Sequence, residues 1–216
     1  MSAITISREA GSMGDWIADQ TAQRLGYRLV DKNTFEHIFT QYGFVDFKET
    51  YNQTGFWARF DPHVNEMAVL LKQAIWALAV LGKVVLVGRG GFGGLKNYAD
   101  VLNVRIQAPL PLRMRRVLDM QKVFDRAKAE QFIHESDRVQ HDFLEAFYGS
   151  QWKSLDNFDL LINTGKISPQ AAIDCLVEAG RHLGDNTRTG LPTTRELVTD
   201  PVMLDAVRHA LEVFEA

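Results

Sequence analysis

Near the N-terminus, Ser7-Arg8-Glu9-Ala10-Gly11-Ser12-Met13-Gly14-Asp15 joins a β-rich run to a helical one. A glycine-bearing turn between a first strand and a helix can hold an anion, because backbone N–H groups and the helix N-terminus point at the same place. The complete phosphate-loop motif follows its last glycine with lysine and then serine or threonine, and neither is present here. A tight strand-to-helix turn is the other reading of this segment. A second cluster, Gly88-Arg89-Gly90-Gly91-Phe92-Gly93-Gly94, ends an apolar run and carries one arginine, whose planar fork matches a phosphate. Its glycines also read as a flexible turn.

Further cations are Arg113, Arg115 and Arg116, of which Arg113 and Arg116 share a helix face while Arg115 points elsewhere. A solvated face is the alternative for that cluster. Arg8, Lys122, Arg126 and Arg138 are other sources of positive charge, and Arg59 stands in Gly55-Phe56-Trp57-Ala58-Arg59, facing either a ligand or solvent. Asp31 either faces a ligand or caps the helix beginning near Asn33.

Other chemistries find little support. His134 and His141 lie seven apart with no partnering metal motif, and no serine sits in a nucleophile elbow. Cys175, the single cysteine, is expected to pack in the core. The net charge of -3 and pI near 6.1 provide no field for a polynucleotide. The apolar stretch 67–82 is interrupted by Lys72 and Gln73 and is short for a bilayer crossing, so no membrane association and a cytoplasmic location are expected.

These residues need elements to position them. Strands are predicted over 3–7, 27–30, 83–87, 101–108 and 159–164, alternating with helices that include 33–42, 64–81, 112–120, 128–147 and 168–183. The alternation implies a doubly wound, mainly parallel sheet, whose ligands bind at the carboxyl ends of the strands. Each unusual cluster falls at such an end. Residues 184–194 read as a linker, and Asp200-Pro201 opens a final helix whose apolar face docks either on its own domain or on a second subunit.

The ordered series Ile4-Thr5-Ile6-Ser7-Arg8-Glu9-Ala10-Gly11-Ser12, Leu25-Gly26-Tyr27 with Asp31-Lys32, Val87-Gly88-Arg89-Gly90-Gly91, and Trp152 before Phe158-Asp159-Leu160-Leu161-Ile162-Asn163-Thr164 resembles the cytidylate-kinase-like family of P-loop nucleoside monophosphate kinases. The resemblance covers about residues 3–183. It implies a three-layer α/β P-loop kinase-type fold with a five-stranded, mainly parallel sheet and helices on both faces, plus a C-terminal helical extension. The kinase-like domain would span 1–183, with a flap about 44–63 and a lid about 121–150, followed by the linker and C-terminal helix over 184–216. ATP with Mg2+ would be the donor and a nucleoside monophosphate such as CMP the acceptor.

On that resemblance Gly11, Ser12 and Gly14 would surround the ATP phosphates, and Asp31, Arg89 and Arg59 would face the acceptor. Arg138 and Arg8 would act in catalysis, with Arg113, Arg116 and Arg126 as additional charge. No metal ligand from the protein is assigned, and a homodimer through the C-terminal helix is one possible assembly. The chain departs from ordinary cytidylate kinases at four places. Gly14 stands for the loop lysine, Asp15-Trp16 for the magnesium-binding hydroxyl, Gly90 for an aspartate after Gly-Arg, and Gln140 for a lid arginine. A lysine-free loop also resembles a feature of the cytidylate-kinase-like branch itself. The competing reading is a catalytically inactive nucleotide-binding or protein-interaction member of the same fold.

Overall fold

The computed structural model describes residues 3–44, 62–121, 125–149, 154–183 and 190–213. Arg59, Lys122, Trp152 and nearly all of the expected flap lie outside the described residues. The five strands are β1 (Ala3–Arg8), β2 (Arg28–Val30), β3 (Val84–Val87), β4 (Val101–Gln107) and β5 (Leu160–Asn163). They form one sheet in the order β2-β3-β1-β4-β5, with every pairing parallel. The helices are α1 (Gly14–Leu25), α2 (Lys32–Gln41), α3 (Pro62–Leu81), α4 (Gly91–Leu95), α5 (Leu110–Gln121), α6 (Arg126–Tyr148), α7 (Pro169–Leu183) and α8 (Pro201–Val213).

Strand β3 reads Val-Val-Leu-Val without a polar residue because both of its faces are covered. Val84 and Leu86 point into an apolar layer with Phe35, Leu71, Leu78 and Met203. Val85 and Val87 point into the opposite layer with Ile4, Ile17, Leu102 and Ile173. The period of two along the strand therefore divides the core into two layers, with α1 and α7 on one side and α2, α3, α4 and α8 on the other. This is the three-layer α/β fold expected.

The helix that follows β2 starts at Asp31. Its carboxylate accepts the Thr34 backbone N–H at 3.0 Å, and the Thr34 hydroxyl completes a reciprocal capping box. Of the two readings of Asp31, helix capping is the one the geometry satisfies. Asp31→Ala is expected to lower stability by about 1 kcal/mol, read as a lower urea midpoint at unchanged m-value.

Two positions depart from expectation. Cys175 is exposed, because α7 buries Ala172, Ile173, Leu176, Val177 and Gly180, and residue 175 falls off that stripe. The glycines after β3 build the short helix α4 instead of a flexible turn. The apolar face of α8 is spent within its own chain. Met203, Val207, Ala210 and Leu211 join the layer that holds α2 and α3, and Asp200 caps the helix through Val202 N–H while accepting the Tyr42 hydroxyl. Of the two readings of that face, docking on its own domain is the one this packing satisfies. Among the described residues no helix is long and apolar enough to cross a membrane.

Candidate nucleotide-binding site

A cavity of about 570 Å³ opens where β1 and β3 end, bounded by the loop after β1, the glycine cluster after β3, and helices α5 and α6. Carboxyl ends of adjacent parallel strands are where this class of sheet leaves a crevice.

The loop over residues 9–14 is held from outside. Three successive carbonyls each accept a hydrogen bond from a side chain remote in sequence. Arg113 Nε donates to Ala10 O at 2.7 Å, Arg116 to Gly11 O at 3.3 Å, and the Thr164 hydroxyl to Ser12 O at 2.8 Å. Glu9 anchors the near end. Its carboxylate accepts the Ala108 N–H at 3.1 Å and lies 3.7 Å from Arg105 and 3.6 Å from Arg113. Inside the loop, Ser12 N–H bonds Glu9 O and Gly14 N–H bonds the Ser12 hydroxyl.

Gly11 and Met13 both take left-handed backbone conformations. Alternation of handedness in a short loop gathers N–H groups on its inner side, the nest that binds phosphates. Among the described residues the amides of Gly11 and Met13 have no acceptor. Gly11 lines the cavity, whereas Ser12 is fully buried and, like Gly14, stands behind the lining. A Cβ on Gly11 would sit 2.7 Å from Arg113 O, and one on Gly14 would sit 2.4 Å from the Arg8 Cβ, so both glycines are sterically required.

At the end of β3, Gly88, Arg89 and Gly90 are three consecutive left-handed residues with φ of 72°, 54° and 66°. Glycine adopts this region freely, whereas arginine there costs energy. The strain sets Arg89 in the cavity wall.

Helix α6, in the segment expected as a lid, lines one side of the cavity. Gln140 donates to the Ser7 hydroxyl at 3.4 Å, and the Tyr148 hydroxyl donates to Gly90 O at 2.5 Å. The Tyr148 ring seats against Gly90 and Gly93, where Cβ atoms would come within 2.5 Å and 2.3 Å of it. Val117, Met120, Phe132 and Val139 give the lid side an apolar wall suited to a flat heterocycle.

Four cationic side chains, Arg8, Lys32, Arg89 and Arg138, line the cavity against two acidic ones, Asp15 and Asp142. Arg8 pairs with Asp15 at 2.8 Å, Lys32 with Glu36 at 3.6 Å, and Arg138 with Glu135 at 2.8 Å. The hydrogen bond that Arg138 donates to Glu135 also raises the Arg138 pKa.

The expected charge reserve is smaller than its arginines. Arg113 is buried and bonded to Ala10 O and to both Asp137 oxygens at 2.6 and 2.8 Å, so its charge is consumed in holding the loop. Arg116 is committed to Gly11 O and to Thr164, and its pKa is lowered by burial and then by Arg115. Arg126 begins α6, exposed and outside the lining. Asp31 is likewise outside the lining, and its neighbour Lys32 takes that place. Glu9, Lys32, Tyr148 and Thr164 have site roles that sequence reasoning missed. Only Lys32, adjacent to a named candidate at a strand end, carried a signal.

The chain matches the model of the cytidylate kinase-like family over residues 3–166. It is 27% identical over 177 residues to a cytidylate kinase of Ignicoccus hospitalis, covering 82% of this chain and 97% of that one. A shorter stretch of 96 residues is 34% identical to a uronate isomerase of Corynebacterium glutamicum. It covers 44% of this chain but 18% of that protein. A solved structure from Eubacterium ventriosum, of a protein without assigned function, superposes with a TM-score of 0.59 at 19% identity, covering 84% of this chain and 99% of that one. That likeness concerns the fold.

Proposed function

We propose that this chain, which belongs to the cytidylate kinase-like family, binds MgATP in the cavity and transfers its γ-phosphoryl group to a nucleoside monophosphate of the CMP type. The observation that carries this reading is the loop whose three carbonyls are drawn outward by Arg113, Arg116 and Thr164. That leaves N–H groups and the α1 N-terminus for a phosphate chain.

Phosphoryl transfer asks a protein mainly for positioning and for stabilisation of charge on the migrating group. Here Gly11 brings backbone to the donor phosphates, with Ser12 and Gly14 shaping the loop behind it. Arg89 grips the acceptor monophosphate from the strained turn after β3. Lys32 adds charge from the α2 side, and Arg138 from α6 offsets charge on the group in transit. Helix α6 walls one side of the cavity and shields the reacting groups from water.

Magnesium supplies charge neutralisation of the phosphate oxygens when bound. Among the described residues no group of three histidine, cysteine or acidic side chains could cage a metal, and Asp15 is already paired with Arg8. This donor set suits an ion that arrives on the triphosphate and keeps its water.

Arg89→Ala is expected to weaken CMP binding by about 1.5 to 3 kcal/mol, the usual loss for a charged hydrogen bond, while ATP affinity changes little. Calorimetric titration of each nucleotide with magnesium, followed by a turnover assay on the same samples, checks this. Equal loss for both nucleotides would place Arg89 elsewhere. No binding of either nucleotide by the wild type would remove the kinase reading.

The alternative, a nucleotide-binding member without turnover, draws on a specific observation. The loop lysine is absent, and Arg113 and Arg116 are consumed structurally. Saturable ATP binding with no phosphorylation across nucleoside monophosphates would establish it.

A further inference from the structure

We propose that Arg8 takes the place of the missing loop lysine, and that Asp15 holds it beside the phosphate loop as an internal stand-in for a phosphate, yielding when a polyphosphate enters. The inference rests on the nucleotide-binding reading above and adds to it a cation and a device that keeps that cation in position.

Steric facts support the placement of Arg8. Its stem runs across Gly14, where a Cβ would come within 2.4 Å of its Cβ and 2.7 Å of its Cγ. Its Nη1 then passes Gly88, where a Cβ would lie 2.8 Å away. Two glycines from different loops thus clear one path, and it leads along the front of the phosphate loop into the cavity that Arg8 lines. The lysine position is empty because the arginine stem fills the space beside it. The charge reaches the front of the loop from residue 8 instead of residue 14.

Asp15 explains why the guanidinium stays there. Both Nε and Nη2 of Arg8 lie 2.8 Å from the same oxygen, Oδ1 of Asp15. Asp15 sits in the first turn of α1 and also lines the cavity. An anionic group therefore already occupies the neighbourhood where the loop and helix end would receive a phosphate.

The hold is designed to be weak. The Asp15 side chain is 72% exposed and that of Arg8 32%, and ion pairs this open contribute little. A di- or triphosphate offers several oxygens and more charge, and a guanidinium binds such groups through its fork more strongly than it binds one carboxylate oxygen. Asp15 is accordingly a positioning residue, acting on the ligand through Arg8.

The test is a double-mutant cycle read by calorimetry. MgATP and inorganic tripolyphosphate with magnesium are titrated into the wild type, Arg8→Ala, Asp15→Asn and the double variant. Arg8→Ala is expected to weaken both ligands about tenfold or more, the loss of a charged contact. Asp15→Asn is expected to tighten both by about three- to fivefold, the release of one exposed ion pair. It should also lower Tm slightly, since an acid leaves the first turn of α1. Opposite signs on affinity and Tm are not the result of a merely structural role.

In the Arg8→Ala background the gain from Asp15→Asn should shrink to the relief of charge repulsion between Asp15 and the phosphates. An Asp15→Asn effect that is absent, reversed, or the same with and without Arg8 overturns the exchange while leaving ATP binding intact. Failure of both ligands to bind the wild type and Asp15→Asn alike removes the nucleotide site, and the exchange with it.

Discussion

Replacing Arg113 with alanine is expected to cost about 3 kcal/mol of folding stability and to abolish measurable nucleotide binding, because this side chain holds the phosphate loop from behind. It is 6% exposed, and it donates to Ala10 O and to both oxygens of Asp137 while facing Glu9. Its loss leaves the Ala10 carbonyl without its donor and the Asp137 carboxylate without its cation, and leaves Glu9 with Arg105 alone. Breaking a buried charge network from one side costs about 3 to 5 kcal/mol, and the partial exposure of Asp137 places this site at the lower end. Urea unfolding gives the stability term and calorimetry with MgATP the binding term. Arg113→Lys keeps the charge but lacks the fork, so it should recover only part of either. A shift under about 1 kcal/mol for Arg113→Ala would mean that the loop holds its shape by its own hydrogen bonds.

The second large effect concerns the obvious repair of the motif. Gly14→Lys, which puts a lysine where the complete phosphate-loop motif has one, is expected to destabilise by about 2 kcal/mol and to reduce ATP affinity. The reason is geometric. The new Cβ would lie 2.4 Å from the Arg8 Cβ, so either the Arg8 stem or the start of α1 must move. Moving Arg8 also breaks its contact with Asp15. Because the conflict begins at the Arg8 Cβ, Arg8→Ala cannot relieve it, whereas Gly14→Lys combined with Arg8→Gly should recover much of the lost stability. Thermal or urea unfolding of the three variants checks this order. A Gly14→Lys protein as stable as the wild type and binding ATP more tightly would show that the loop accepts either cation.

Both predictions concern a loop that is short in sequence but is shaped from far away. The partners of its three carbonyls lie 103, 105 and 152 residues downstream. This separation explains why Arg113 and Arg116 read as reserve charge from the sequence. Helical spacing correctly put them on one face, but what that face meets depends on how α5 packs against the loop.

The framework is legible in local residue patterns. Short, valine-rich apolar runs such as Val84–Val87 read as strands covered on both sides, and their alternation with helices leads to a parallel sheet with its crevice at the strand ends. The glycines of the first loop and those that flank Arg89 were legible for a local reason, since glycine alone adopts the left-handed backbone freely.

Packing between distant segments set which charges remain for a ligand. It committed Asp31 to a helix cap, spent Arg113 and Arg116 on carbonyls, turned Cys175 outward, and laid Arg8 across Gly14 and Gly88. A side chain's charge is a property of its type, but its availability is set by the hydrogen bonds and space it finds after folding, and those depend on contacts between distant parts of the chain.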